Sequence, residues 1–291
     1  MNRYYSASVI GQYVQESLSN PGRGKVLGVT SKGIFFLFGD KSIFLTEYPG
    51  KSPFNICLND AKALYAEIGL GDEVEFSPSQ IYLIAKEITI SLANAQVWIV
   101  PAPAAILNSL ANQAKAAKEM IKQLQLIDPN KGFLFLADAS TETSSDRLQI
   151  KQHVDGIRRS FASADLPGCL EHCSYLFGLG GGLTPSGDDL VAGFLLYQRR
   201  LDLAKRAERA FVNDLGRQLT ALAYQKTTWV SANRIEAAAR GWSEALFLDA
   251  IDSLFDNSLE DPLGVATDLA RFGHSSGVDT FMGISLAVGA I

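Results

Sequence analysis

Over the first hundred residues, apolar positions come in short runs that alternate with turn residues. Gly24–Thr30, Gly33–Phe38, Ser42–Thr46, Phe54–Leu58, Glu73–Phe76, Ile81–Ile84, Glu87–Leu92 and Gln96–Val100 are rich in β-branched and aromatic residues. Ser31-Lys32-Gly33, Gly39-Asp40-Lys41, Pro49-Gly50 and Gly69-Leu70-Gly71-Asp72 separate them. Strands of this length and spacing predict a small antiparallel barrel or sandwich. Asn59–Ile68 reads as a short helix inside it, and Tyr4–Leu18 as another before it. Pro101-Ala102-Pro103 breaks the pattern, since proline removes donors and restricts its neighbours. Beyond it the apolar spacing becomes helical. Helices are predicted over Ala104–Leu126, Asp146–Ala164, Gly168–Phe177, Gly187–Leu203, Ala204–Gln225, Ser231–Ala239, Ser243–Leu254, Pro262–Phe272 and Gly277–Val288, with Phe133–Ala137 as one strand among them. The expected class is α+β: a β-rich N-terminal domain, residues 1–101, and a larger mostly helical domain, residues 102–291.

Composition narrows the classes. Of 291 residues, 47% are apolar and 20% charged, which excludes a disordered chain and permits a large core. A net charge of −5 supplies no strong positive field for phosphate backbones, so nucleic acid is not an expected partner. Cys57, Cys169 and Cys173 do not make a disulfide framework. No apolar run approaches the ~18–20 residues of a spanning helix. The start of the chain has no apolar segment of signal-peptide type. The expectation is a soluble cytoplasmic protein with no membrane partner.

The most informative segment runs Gly178-Leu179-Gly180-Gly181-Gly182-Leu183-Thr184-Pro185-Ser186-Gly187-Asp188-Asp189. Four glycines in five residues belong where backbone takes positive φ or approaches something closely. A helix start follows. Ser186 and Asp189 resemble a capping box, while Thr184 with Pro185 offers an alternative start. Such a loop presents free N–H groups and the positive end of a helix dipole, which suits phosphate or carboxylate. No Lys or Arg occurs between residues 160 and 198, so binding would fall to backbone amides, Thr184 and Ser186. The spacing is neither a Walker A loop nor a dinucleotide fingerprint. The competing reading is a tight inter-helix turn with Asp188 and Asp189 as helix-start acids.

A second helix start is similar. Ser186-Gly187-Asp188-Asp189-Leu190-Val191-Ala192-Gly193 and Ser276-Gly277-Val278-Asp279-Thr280-Phe281-Met282-Gly283 share S-G-x-D-x-x-x-G. In each, Asp and the last Gly lie on one helix face. The two starts are therefore expected to converge on one anionic ligand.

Gly182–Asp189, preceded by Gly178 and Gly180, resembles the signature of the bacterial AllH-like family, which also carries a carboxylase label. Thr227-Thr228-x-x-Ser231, Ala238-x-x-Gly241 and Gly273-His274-Ser275-Ser276-Gly277-x-Asp279 are similar to its downstream blocks, in the same order. The likeness covers roughly Gly178 to Gly283; Gly181 departs from the pattern. It implies a subunit of an oxamate carbamoyltransferase of anaerobic allantoin (purine) breakdown, which converts oxalurate and phosphate to oxamate and carbamoyl phosphate. It also implies FdrA-like and AllG-like partner subunits. These ligands are small anions, and phosphorolysis needs donors aimed at phosphate and a developing oxyanion. The alternative is a non-catalytic ligand-binding or scaffold subunit.

Within that frame Gly180, Gly181, Gly182, Thr184, Ser186 and Gly187, with Ser275, Ser276, Gly277, Asp279, Thr228 and Ser231, are expected around phosphate or substrate. Asp188 and Asp189 are read three ways: bracing the loop, recognising a substrate amide, or holding Mg²⁺, in that order; no other cofactor is expected. His274 is the candidate acid or base, against a plain structural role, and with Asp188 and Asp189 it makes up the expected catalytic set. Cys169-Leu170-Glu171-His172-Cys173 lacks a zinc spacing and reads as buried thiols, so no metal ligand is assigned. His153 reads as surface or structural, Arg158-Arg159 and Arg199-Arg200 as solvated helix ends, and Trp229 and Trp242 as core or interface anchors.

Overall fold

A computed structural model describes residues 3–291 except 49, 139–143, 257, 259 and 260. Pro49 of the expected Pro49-Gly50 turn, like Met1 and Asn2, lies outside the described residues. The chain divides into two compact units, Met1–Pro101 and Ala102–Ile291.

The first unit is built from β1 (Arg3–Gly11), α1 (Gln12–Ser17), β2 (Gly22–Thr30), β3 (Gly33–Phe38), β4 (Lys41–Thr46), β5 (Asn55–Leu58), α2 (Lys62–Tyr65), β6 (Glu73–Ser77), β7 (Gln80–Leu83), β8 (Ile88–Ser91) and β9 (Gln96–Trp98). The strand order is β5-β4-β3-β2-β6-β7-β8-β1-β9, and β1 pairs back to β5. Eight strands thus close a barrel, with β9 added beside β1. Ile34, Phe36, Ile43, Leu45, Ile81 and Ile90 fill its interior. Two expectations are corrected. Tyr4–Leu18 is a strand as far as Gly11 before it becomes helix: exposure alternates from Arg3 to the buried Ala7, which suits period two, and a register shift between Ala7 and Val9 then turns Ile10 inward as well. Gly11 allows the switch, since a Cβ there would lie 2.1 Å from the Pro53 carbonyl oxygen. The barrel is also not wholly antiparallel. β1 runs parallel to β8 and β9, and β4 parallel to β5.

The second unit contains α3 (Leu110–Ile127), α4 (Ser145–Ala162), α5 (Leu166–Leu176), α6 (Ser186–Lys205), α7 (Ala210–Lys226), α8 (Trp229–Ala239), α9 (Ala245–Asp256), α10 (Pro262–Arg271) and α11 (Ser276–Ala287). Together the two units make the chain α+β. α6 is buried without a break from Gly187 to Gln198, and α11 from Ser276 to Leu286. A helix buried on all sides is a central one. Their crossing depends on glycine. A Cβ at Gly193 would lie 1.9 Å from the Thr280 carbonyl oxygen, and one at Gly283 would lie 1.9 Å from that of Leu190.

Phe133–Ala137 is not a strand. Gly132–Ala137 forms a 3₁₀ turn with Phe133, Leu134 and Phe135 all buried, where a strand would alternate. The helix expected from Ala204 begins at Ala210, because α6 runs on to Lys205 and ends with Arg206 in the left-handed region. Arg200 is not solvated. It is 1% exposed and pairs with both Asp252 oxygens at 3.1 Å, since the central helix has no free face there. Cys169 and Cys173 are buried, and burial pushes the Cys169 thiol up to about 12. His172 meets His153, Nδ1 to Nδ1 at 3.1 Å, and His153 stacks on Tyr175. Trp229 is 40% exposed rather than in the core, and the Arg240 guanidinium lies 3.4 Å above the Trp242 ring.

Candidate functional site

The glycine-rich loop joins α5 to α6. Gly178, Gly180 and Gly182 have φ of 78°, 116° and 89°, values that disfavour any side chain. Gly180 is doubly constrained, because a Cβ would lie 2.7 Å from the Ser186 nitrogen. A Cβ at Gly181 would meet nothing, so Gly181 is free of both demands. Gly180, Gly181 and Gly182 are exposed.

The two helix starts do meet. Thr184 and Ser276 hydroxyl oxygens are 2.8 Å apart, and those of Ser186 and Ser275 are 3.3 Å apart. The relation is reciprocal. Asp189 of α6 is near Ser276 of α11, and Asp279 of α11 is near Ser186 of α6. Gly187 and Gly277 are equivalent too. A Cβ at either would lie 2.0 Å from a carbonyl oxygen, of Leu176 or Leu269 respectively. Their N–H groups donate to the Leu179 and Phe272 carbonyls, both at 3.0 Å. These two glycines, expected around the anion, allow close backbone approach and have their N–H groups engaged.

The duplication extends further back than S-G-x-D-x-x-x-G. α5 is capped by Asp165, which accepts the Gly168 N–H at 3.1 Å. α10 is capped by Asp261, which accepts the Gly264 N–H at 2.9 Å. Each helix carries proline in its first turn, and each is followed by Phe-Gly with the glycine at positive φ, at Gly178 and Gly273. Two copies of a helix–loop–helix unit thus face each other across the α6–α11 crossing. The signals Asp165…Pro167-Gly168…Phe177-Gly178 and Asp261-Pro262…Gly264…Phe272-Gly273 were present in the sequence but are spread too thinly to stand out.

The carboxyl groups are not equivalent. Asp188 accepts the Gly178 N–H at 2.9 Å and the Thr227 hydroxyl. Burial pushes its carboxyl up, and these donors pull it back. Each of its oxygens thus accepts from a group that shapes the loop. Among the described residues, no group of three or more His, Cys, Asp or Glu is arranged to hold a metal ion. Asp279 accepts the Phe133 N–H at 2.7 Å. Burial raises it, against the pull of Ser186, Ser275, Phe133 and His274. Asp189 is 2% exposed and burial pushes it up to about 8. Arg234 and Ser276 act in the opposite direction, and Asp279 and Asp188 add to the rise.

Thr228 caps α8 by accepting the Ser231 N–H at 3.1 Å, and its hydroxyl donates to the Leu183 carbonyl at 2.5 Å. α8 is thereby tied to the glycine loop, with Ser231 buried below. His274 is exposed in the second loop. Arg234 was not singled out from sequence. Its Nε lies 3.7 Å from Asp189 and its Nη1 3.1 Å from Glu244, and it sits against the rings of Phe247 and Phe272. The three-residue spacing Thr228, Ser231, Arg234 was the available signal.

The fold and site define a class: a helical unit in which two glycine-rich helix starts, supplied by an internal duplication, close on one another. Residues 176–288 match the model of the family described as oxamate carbamoyltransferase subunit AllH, and this match supports an AllH-like assignment. The matched stretch spans the glycine loop and α6 to α11. No solved structure matches the chain. Among the described residues, no helix is long and apolar enough to cross a membrane.

Proposed function

We propose that the chain is a subunit of an oxamate carbamoyltransferase-related system and binds a small anion at the paired helix starts. Phosphate, carbamoyl phosphate and oxamate are the ligand class. The observation that carries the reading is the approach of Thr184 to Ser276 and of Ser186 to Ser275, within the stretch that matches the family. Four hydroxyls and the positive ends of two helices bear on one place, and exposed glycine backbone lies beside it.

In this reading the hydroxyls of Thr184, Ser186, Ser275 and Ser276 exchange their bonds to one another and to Asp189 and Asp279 for donation to the anion's oxygens. Gly180–Gly182 supply backbone N–H groups at its outer side. Asp188, Thr227 and Thr228 hold the loop in shape. The exposed imidazole of His274 stands at the rim as the group that gives or takes a proton. Preorganised donors of this kind stabilise a developing oxyanion more than they stabilise the ground state. FdrA-like and AllG-like subunits are the proposed partners.

The test is phosphate-dependent cleavage of oxalurate by the purified chain, alone and with those partners. Turnover by the chain alone makes it the catalytic subunit. Binding of phosphate or oxamate without turnover until partners are added makes it a ligand-holding subunit. Failure to bind either anion, with or without partners, removes the proposal. Loss of cleavage in His274→Gln with binding intact assigns the proton step to His274.

A further inference from the structure

Two of the three buried carboxyl groups at the helix starts hold backbone: Asp188 holds Gly178 and Asp279 holds Phe133. Asp189 holds none. Its Oδ2 has no hydrogen-bond partner, as Asp279 Oδ2 has none; its Oδ1 is 3.7 Å from Arg234 Nε, and the Ser276 hydroxyl also bonds to the carboxyl. The Nη1 and Nη2 atoms of that guanidinium lie instead against Glu244, at 3.1 and 3.4 Å. An ionised carboxylate left this way is costly to bury. Asp189 also lies in the first turn of α6, beside the Ser276 hydroxyl that meets Thr184. It therefore stands directly behind the proposed anion donors. Charged, it opposes an anion there and offsets the positive helix end; neutral, it does neither.

We propose that Asp189 is a positioning residue that couples anion binding at the paired helix starts to a proton on its own carboxyl. The inference rests on the anion reading above. The titratable and charged groups around Asp189 are Asp188 on its own helix, Asp279 from α11 and Arg234 from α8. Glu244 stands behind Arg234, and His274 acts on Asp279. Burial pushes the Asp189 carboxyl up to about 8 against the pull of Arg234 and Ser276, which favours the neutral, anion-tolerant form near neutrality.

The experiment is calorimetric titration of the full chain with sulfate, a dianion that does not itself titrate above neutrality. Full coupling weakens wild-type affinity about tenfold between pH 7 and pH 9. Asp189→Asn, neutral at every pH, should give a flat profile and bind at pH 9 as wild type does at pH 7. A merely structural Asp189 predicts the opposite, loss of binding at all pH. Asp189→Ser gives the same flat profile should the Asn variant not fold. Loss of sulfate at every pH in a folded variant overturns the coupling, and so does a retained wild-type slope. A profile flattened by His274→Gln also overturns it, because the imidazole is then the coupled group. Sulfate bound by wild type with no pH dependence overturns the coupling and leaves the anion reading standing. No sulfate binding at any pH removes both.

Discussion

Gly180 and Gly181 are neighbours of one residue type under different constraints. Gly180 has φ of 116° and no room for a Cβ against Ser186, while Gly181 has neither restriction. Gly180→Ala should lower stability by more than about 1 kcal/mol, and Gly181→Ala should stay within about 0.5 kcal/mol of wild type, read by thermal melts. Asp188 is distinguished in the same way from Asp189. Asp188→Asn weakens the acceptor of the Gly178 N–H and Thr227 hydroxyl, so it should cost about 1–3 kcal/mol. A calorimetric titration beside the melts checks that the loss is one of loop bracing. The glycine run and the Asp pair were both legible in the sequence. Which glycine is needed, and which Asp braces, was not. That depends on Thr227, Arg234 and Phe133, which are remote from the loop in the chain, Phe133 and Asp279 being 146 residues apart.

At the scale of elements, α6 and α11 are held by contacts too close for any side chain. The Cβ of Gly193→Ala would lie 1.9 Å from Thr280 carbonyl oxygen, and that of Gly283→Ala 1.9 Å from Leu190 carbonyl oxygen. Each change must push the helices apart, so each should cost about 3 kcal/mol or more in urea unfolding. The double variant should cost less than the sum, because both open one crossing. The repeated S-G-x-D-x-x-x-G marked both helices beforehand, and its reciprocal glycines are the reason it recurs. Most strands were equally legible, since period two with turn residues between is a local signal. β1 was not. Its burial depends on pairing with β5, β8 and β9, which lie far along the chain. Phe133–Ala137 reads as a strand in the sequence because a short apolar run has no period to distinguish strand from helix.

For the whole molecule, the buried carboxyl groups set a direction for stability against pH. Asp189 is raised from 3.8 to about 8 on folding, so the folded chain binds its proton more tightly than the unfolded chain does. The stability it contributes is complete at acid pH below the unfolded value. It is lost as pH rises toward the folded value, and is gone above about 8. Asp188 and Asp279 act in the same direction. The melting temperature should therefore fall between pH 5 and pH 8.5, by about 2–4 °C for each kcal/mol lost, and Asp189→Asn should flatten the curve.

The meeting of Thr184 with Ser276 and of Ser186 with Ser275 has a kinetic consequence. These residues are 92 and 89 positions apart in the chain. Closing a loop of that length comes late, after local helices have formed and once the entropy of the intervening chain has been overcome. The pairing of the two helix starts needs both ends of that stretch in place. A bound anion therefore reports completion of the helical unit, and it should slow unfolding without speeding refolding.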